Sequence, residues 1–160
     1  MAVAVTGEEL RQTMRRAAAP VAVVTVDAGD LKYALTVGSL LSLSLEPALV
    51  GVSIGHASQS HTPLRDAGRF AASLLAGDQA ALAQHFARSV PPIALWEGIA
   101  LRESTLPEPL LDGAVAWLEC SVVGEHEAGD HTIFVAEVLS VELGRDAPAL
   151  VYVGGEYRAV

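Results

Sequence analysis

The sequence predicts a mainly β protein, a small antiparallel barrel with peripheral helices. Strand-length runs rich in Val, Ile and Thr recur along the chain, bounded by Gly, Pro and Asp turns. The helical segments are few and short, and they never alternate with strands as βαβ units do. A chain of 160 residues normally buries one core, and no repeat, linker or low-complexity tract divides it, so residues 1–160 read as a single domain.

Thr6-Gly7-Glu8-Glu9 reads as a capping box, followed by Leu10, Met14 and Ala17 or Ala18 at helical spacing, so a short helix opens the chain and Pro20 stops it. Val21 to Val26 is a β-branched strand that turns through Asp27-Ala28-Gly29-Asp30 into a partner, Leu31 to Thr36. Ala48 to Ile54 is a further strand. Ser60-His61-Thr62-Pro63 starts a short helix through Ala67, with Ser60 or His61 near its cap. Arg69 to Leu75 is a strand, and Gly77-Asp78 caps a helix ending at Arg88 whose Leu82, His85 and Phe86 share a face. Ser89 to Pro109 is proline-rich and reads as a long loop with at most one short strand, anchored by Trp96 and Leu101. Val115 to Glu125 and Thr132 to Leu143 form an antiparallel hairpin across Glu127-Ala128-Gly129-Asp130. Leu150 to Val153 and Tyr157 to Val160 close the sheet across Gly154-Gly155.

The stretch from Leu35 to Ser60 is the richest in polar chemistry. Thr36, Ser39, Ser42 and Ser44 are interleaved with aliphatic residues, and Ser58 and Ser60 form a second hydroxyl cluster. On a strand this alternation buries one face and offers hydroxyl donors and acceptors on the other. Ser and Thr also serve strand ends and turns by bonding local backbone, and spacing alone does not decide between the two.

Composition narrows the function. Hydrophobic residues are 51% and charged residues 18%, which excludes disorder and predicts either deep burial or a sizeable subunit interface; a mean hydropathy of +0.39 favours an oligomer. A net charge of −9, with no basic cluster beyond Arg15-Arg16, argues against binding nucleic acid or an anionic membrane surface. The single Cys120 lies mid-strand as a structural thiol, which fits a reducing cytoplasm. MAVAVTGEEL lacks the features of a signal peptide, and no apolar run is long enough to span a bilayer.

There is neither GxxxxGK[ST] nor GxGxxG, and no GxSxG nucleophile elbow. His56, His61, His85, His126 and His131 form no HxH or HExxH pair, so no metal is expected.

Seven pieces, taken in order, resemble the flavin reductase-like family, whose fold is the FMN-binding split barrel. They are APVAVVTV, LTVGSLLSLSLEPALVGVSI, SQSHTPLRDAGRFAASLL, ALAQHFA, PLLDGAVAWLEC, GDHTIFVAEV and PALVYVGGEYR, covering about Met14 to Val160. Each is weak alone. Their order and separation over nearly the whole chain are specific. Three positions depart from the family pattern: Ala34 stands where Gly is usual, Gly55-His56 where an Asn-Arg-like pair is usual, and Ser73 where Asn is frequent.

The resemblance implies an antiparallel split β-barrel that reduces FMN or FAD with NADH or NADPH and supplies a partner flavin-dependent monooxygenase. The alternatives are a split-barrel protein that carries or senses flavin without efficient turnover, and an enzyme of the same fold acting on another substrate with bound flavin. By resemblance, Thr36, Val37, Gly38 and Ser39, with Ser42, Leu43 and Ser44, line the isoalloxazine and ribityl chain. Ser58, Ser60 and His61 hold the phosphate, helped by backbone N–H groups at the helix start, and Arg65 and Arg69 are candidate charge partners. His131 matches a nicotinamide-binding, reaction-assisting histidine, against the simpler reading of a turn histidine bonded to Asp130. The resemblance and the apolar fraction together imply a homodimer with flavin near the interface.

Overall fold

A computed structural model describes residues 3–160; Met1 and Ala2, the start of the stretch read as no signal peptide, lie outside the described residues. Helix α1 (Gly7–Met14) carries the expected capping box: Thr6 Oγ1 accepts from Glu9 N at 3.2 Å, and Glu9 Oε2 accepts from Thr6 N at 2.7 Å. It ends at Met14, well before Pro20, and its Leu10 and Met14 are exposed.

Strands β1 (Ala19–Pro20), β2 (Ala22–Asp27), β3 (Lys32–Val37), β4 (Leu41–Leu45) and β5 (Ala48–Gly55) follow, with a cis Glu46–Pro47 bond between the last two. Helix α2 (His61–Ala67) leads through Gly68 at φ 65°, a left-handed position that suits glycine, into β6 (Arg69–Leu74). Helices α3 (Ala80–Phe86) and α4 (Pro92–Leu95) and the short pair β7 (Leu101–Arg102) and β8 (Leu110–Leu111) precede the long hairpin β9 (Ala116–Ala128) and β10 (His131–Leu143). Strands β11 (Leu150–Val153) and β12 (Glu156–Ala159) end the chain.

Seven strands form one antiparallel sheet in the order β3-β2-β6-β9-β10-β5-β4. Residues alternating along β2 explain its unbroken β-branched run. Ala22, Val24 and Val26 enter a core inside the curled sheet with Val52, Ile54, Phe70 and Phe134, while Val23 enters a second core with Leu75, Phe86, Leu95 and Leu150. Both faces of the strand are therefore buried. The ladder does not close on itself. The segment after β3 instead meets β5 through one side chain, Ser39, whose Oγ donates to Ser53 O and accepts from Ser53 N, both at 3.0 Å.

The architecture is the expected mainly β antiparallel fold, with four local differences. β11 and β12 do not extend the main sheet; they form a separate three-stranded sheet with β1, held to the rest by a bridge from Ala149 to Ala76. Helix α3 starts after Gln79 rather than Gly77-Asp78, with no side chain capping it; the Gln79 side chain instead accepts from Ala76 N at 2.9 Å, and Asp78 pairs with Arg145. The proline-rich loop contains α4 and β7. Leu101 is exposed, and Leu95, Leu110 and Leu111 anchor that segment instead. Finally, β4 buries neither face: Leu41, Leu43 and Leu45 are exposed along with Ser42.

Candidate functional site

The end of β3 forms the common wall of three cavities, all of which include Thr36. The largest, about 640 Å³, lies between Thr36–Gly38, α3 and the C-terminal hairpin, where Tyr152 and Tyr157 are cross-strand partners with ring centroids 5.1 Å apart. A second, about 360 Å³, lies between Leu35–Ser39, Ser53–Gly55 and His131. A third, about 430 Å³, lies between Ala34–Thr36, Ala57–Ser60 and the end of α3 from Phe86 to Ser89. These volumes are in the range of small-molecule sites.

The hydroxyls of this segment are largely spent on the fold. Thr36 Oγ1 donates to Ala83 O at 2.6 Å, tying β3 to α3, and Ser39 Oγ is committed to Ser53. Val37 turns its side chain into the core. What Thr36–Ser39 offers a ligand is therefore chiefly backbone. Gly38 keeps that surface flat: a Cβ there would lie 3.2 Å from the Ala19 Cβ. Ser42, Leu43 and Ser44 line none of these cavities; Leu43 lies over Gly51, and Ser44 Oγ accepts from Glu46 N at 3.3 Å.

His131 opens β10 and pairs in register with Gly55, which brings its ring to the same cavity as Thr36–Ser39. Its Nδ1 lies 2.7 Å from Asp130 Oδ1. An ionised carboxylate only accepts, so Nδ1 carries the proton and Nε2 is left for other partners. The contact also holds the Asp130 carboxyl below its ordinary value, first by that hydrogen bond and then by the charge of His131. The turn contact expected for His131 is present, and its ring also lines the second cavity.

The Ser58–His61 segment divides. Ser58 and Ser60 enter the wall of the third cavity. Ser60 is wholly buried, yet its Oγ has no hydrogen-bond partner, an arrangement that costs about 1–3 kcal/mol where nothing compensates it. The helix-start amides expected to cradle an anion are used internally: Ser58 N bonds Gly55 O, Ser60 N bonds Ser58 Oγ, and His61 N bonds Ser58 O. His61 lines none of the three cavities. It is buried edge-on to Phe134, with Nε2 2.7 Å from Thr132 Oγ1, and its pKa is lowered, first by burial and then by the charges of Arg65 and His56. Thr132 in turn donates to Glu127 Oε1 at 3.0 Å.

Arg65 and Arg69 are likewise committed. Arg65 bonds Glu125 and Glu127, each at 3.1 Å, and Arg69 bonds the buried Glu108 at 2.5 Å and Glu119 at 2.8 Å. Among the described residues no group of three or more His, Cys, Asp or Glu could hold a metal ion.

Sequence reasoning missed Gln84, Arg88, Ser89 and the tyrosine pair. Two of these were within reach. A two-residue Gly154-Gly155 turn makes Tyr152 and Tyr157 cross-strand neighbours, and the third cavity is completed where α3 ends.

The residues present fit a planar aromatic group with an anionic tail. Apolar Val21, Ala80 and Ala87, flat backbone at Gly38 and the tyrosine pair suit a ring system, while an unpartnered buried hydroxyl suits a phosphate. Fold and cleft together are those of a split antiparallel barrel with small-molecule cavities at the end of β3. The chain belongs to the flavin reductase-like family: the model for the flavin reductase like domain matches residues 14–160. The reductase component of 4-hydroxyphenylacetate 3-monooxygenase from Thermus thermophilus is 36% identical over 151 residues, 94% of this chain and 95% of that protein. An NADH-dependent flavin reductase from Rhodococcus is 35% identical over 159 residues, 98% of this chain and 88% of its own. The solved NADH:FAD oxidoreductase of Streptomyces globisporus superposes with a TM-score of 0.91 at 32% identity, covering 100% of this chain and 98% of that one.

Proposed function

We propose that this chain is an NAD(P)H-dependent flavin reductase that reduces FMN or FAD and passes the reduced flavin to a partner flavin-dependent monooxygenase. The observation that carries the reading is the meeting of His131 with Thr36–Ser39 in one cavity. When bound, flavin supplies the two-electron acceptor for a hydride leaving the nicotinamide.

The chain's own part is to bind, orient and exclude water. Gly38 would let a planar ring lie against backbone, and Thr36, Val37, Gly38 and Ser39 would hold the isoalloxazine and ribityl chain. Tyr152 and Tyr157 line one side of the larger cavity and would shield a bound ring from water there. His131, its Nδ1 fixed by Asp130, uses Nε2 to orient the nicotinamide amide. Ser58 and Ser60 stand toward the phosphate, and none of these roles requires a metal.

The chain works as a homodimer in the cytoplasm, where the reduced nicotinamide pool lies. β10 runs past its last β5 partner, Glu137 opposite Leu49, and Leu139, Val141 and Leu143 on that overhang are exposed, as are Leu41, Leu43 and Leu45 of β4. Apolar patches of that kind mark interfaces. No helix among the described residues is long and apolar enough to cross a membrane. The relative from Thermus thermophilus, a monooxygenase reductase component, supports the partner.

Steady-state assays with free FMN or FAD and NADH or NADPH test the reading. Flavin-dependent loss of the reduced nicotinamide is expected; flavin binding without turnover would instead identify a carrier or sensor.

A further inference from the structure

His131 is fixed to the turn that carries it, and that turn is fixed in its own way by a polar cluster on the reverse face of the hairpin. Gly129 and Asp130 make a two-residue turn, with Ala128 opposite His131 and Glu127 opposite Thr132. Successive residues of a strand face opposite ways, so His131 lines its cavity while Thr132 is buried on the other side, beside His61.

Four side chains converge on the Thr132 hydroxyl. Glu127 Oε1 lies 3.0 Å from Thr132 Oγ1, His61 Nε2 2.7 Å, His56 Nε2 3.2 Å and Arg65 Nη2 3.5 Å. An ionised carboxylate only accepts, so the Thr132 hydroxyl donates to Glu127 and its oxygen accepts from His61 Nε2–H. Glu127 also accepts from Arg65 Nη2 on Oε1 at 3.1 Å and from His56 Nε2 on Oε2 at 2.8 Å. The Thr132 hydrogen bond first, then that of His56, hold the Glu127 carboxyl below its ordinary value.

The cluster reaches the site through His56. The backbone N of His56 donates to Asp130 O at 2.9 Å, and Asp130 Oδ1 holds His131 Nδ1 at 2.7 Å. With one carboxylate Glu127 therefore grips β10 at Thr132 and the segment after β5 at His56, which lie on either side of the turn. Neither Glu127 nor Thr132 lines any of the three cavities around Thr36.

We propose that Glu127, acting through Thr132 and His56, is a positioning residue for His131: it holds the Gly129-Asp130 turn so that His131 Nε2 is presented to the cavity. This rests on the nicotinamide-orienting role proposed above for His131. Displacing an orienting group slows a hydride step steeply, while a flavin held by Thr36–Ser39 keeps its contacts.

The test is a double-mutant cycle read by two measurements, kcat/KM for NADH at saturating FMN and FMN affinity by fluorescence quenching. Glu127→Ala and Thr132→Val, the latter keeping the branched shape without the hydroxyl, are each expected to lower kcat/KM by about 3-fold to 10-fold and to change FMN affinity by less than about 2-fold. Thr132→Ser, which restores the hydroxyl, should return kcat/KM to within about 2-fold of wild type. In a His131→Ala background, adding Glu127→Ala should cost less than about a further 2-fold, because the residue it positions is gone. Thermal melting checks that each variant folds, which the exposure of Glu127 favours, and the Thr132→Val and Thr132→Ser pair tests the same cluster independently. Losses of equal size in both backgrounds, no loss in either, or a fall in FMN affinity as large as that in kcat/KM overturn the positioning role while leaving His131 in the site. A His131→Ala variant with wild-type kcat/KM overturns the role of His131 itself, and this inference with it.

Discussion

His131 is held in place by Asp130 and lines the cavity that Thr36–Ser39 also line, so the role proposed for it predicts that its removal separates flavin binding from hydride transfer. His131→Ala is expected to leave flavin affinity nearly unchanged while lowering kcat/KM for the reduced nicotinamide by about 10-fold to 1000-fold. A histidine serving only the turn predicts lower thermal stability with unchanged turnover per folded molecule. His61 behaves differently. Burial, then the charges of Arg65 and His56, lower its pKa, so the unfolded chain takes up a proton more readily than the folded one. The stability it contributes is present above the ordinary histidine value and is lost as pH falls through the lowered value. Calorimetry should therefore show melting temperature falling from about pH 7 to about pH 5, and His61→Gln should flatten that fall. These residues also mark the limit of reading a site from sequence. The hydroxyl pattern pointed to a segment whose Thr36 lines three cavities, but which side chains bond to the chain itself depends on long-range partners: Ala83 for Thr36, Ser53 for Ser39, Thr132 for His61.

At the scale of elements, the C-terminal hairpin docks because Gly77 has no side chain. A Cβ there would lie 2.5 Å from the Ala159 Cβ, while Gly77 N bonds Pro148 O at 2.7 Å. Gly77→Ala should destabilise the fold by about 1–3 kcal/mol in chemical denaturation, and adding Ala159→Gly should recover much of that loss. Most elements were legible because their signals are local: the Thr6/Glu9 box, the β-branched run of β2, and the turns at Asp27–Asp30 and Glu127–Asp130. The assignment of β11 and β12 to the main sheet failed because strand patterning does not say which edge a hairpin meets, and here the partner is the two-residue β1. Likewise, Asp78 does not cap α3: its carboxylate pairs with Arg145, far along the chain, and the helix starts after Gln79 with no side-chain cap.

For the molecule as a whole, the apolar fraction pointed to an interface, and the proposed dimer would cover exposed leucines of β4 together with Leu139, Val141 and Leu143 of β10. Light scattering should return twice the 16.6 kDa chain mass, and Val141→Asp with Leu143→Asp should shift the population toward monomer. A wild-type monomer at all concentrations would remove the dimer. The central claim is catalytic, and it is tested most directly without oxygen or a partner enzyme. A trace of protein is mixed anaerobically with NADH and a large excess of FMN, and the flavin's visible absorbance is followed. The account predicts that many equivalents of flavin bleach per chain, in proportion to the NADH consumed. Bleaching that is absent, or that stops at one flavin per chain, would contradict it.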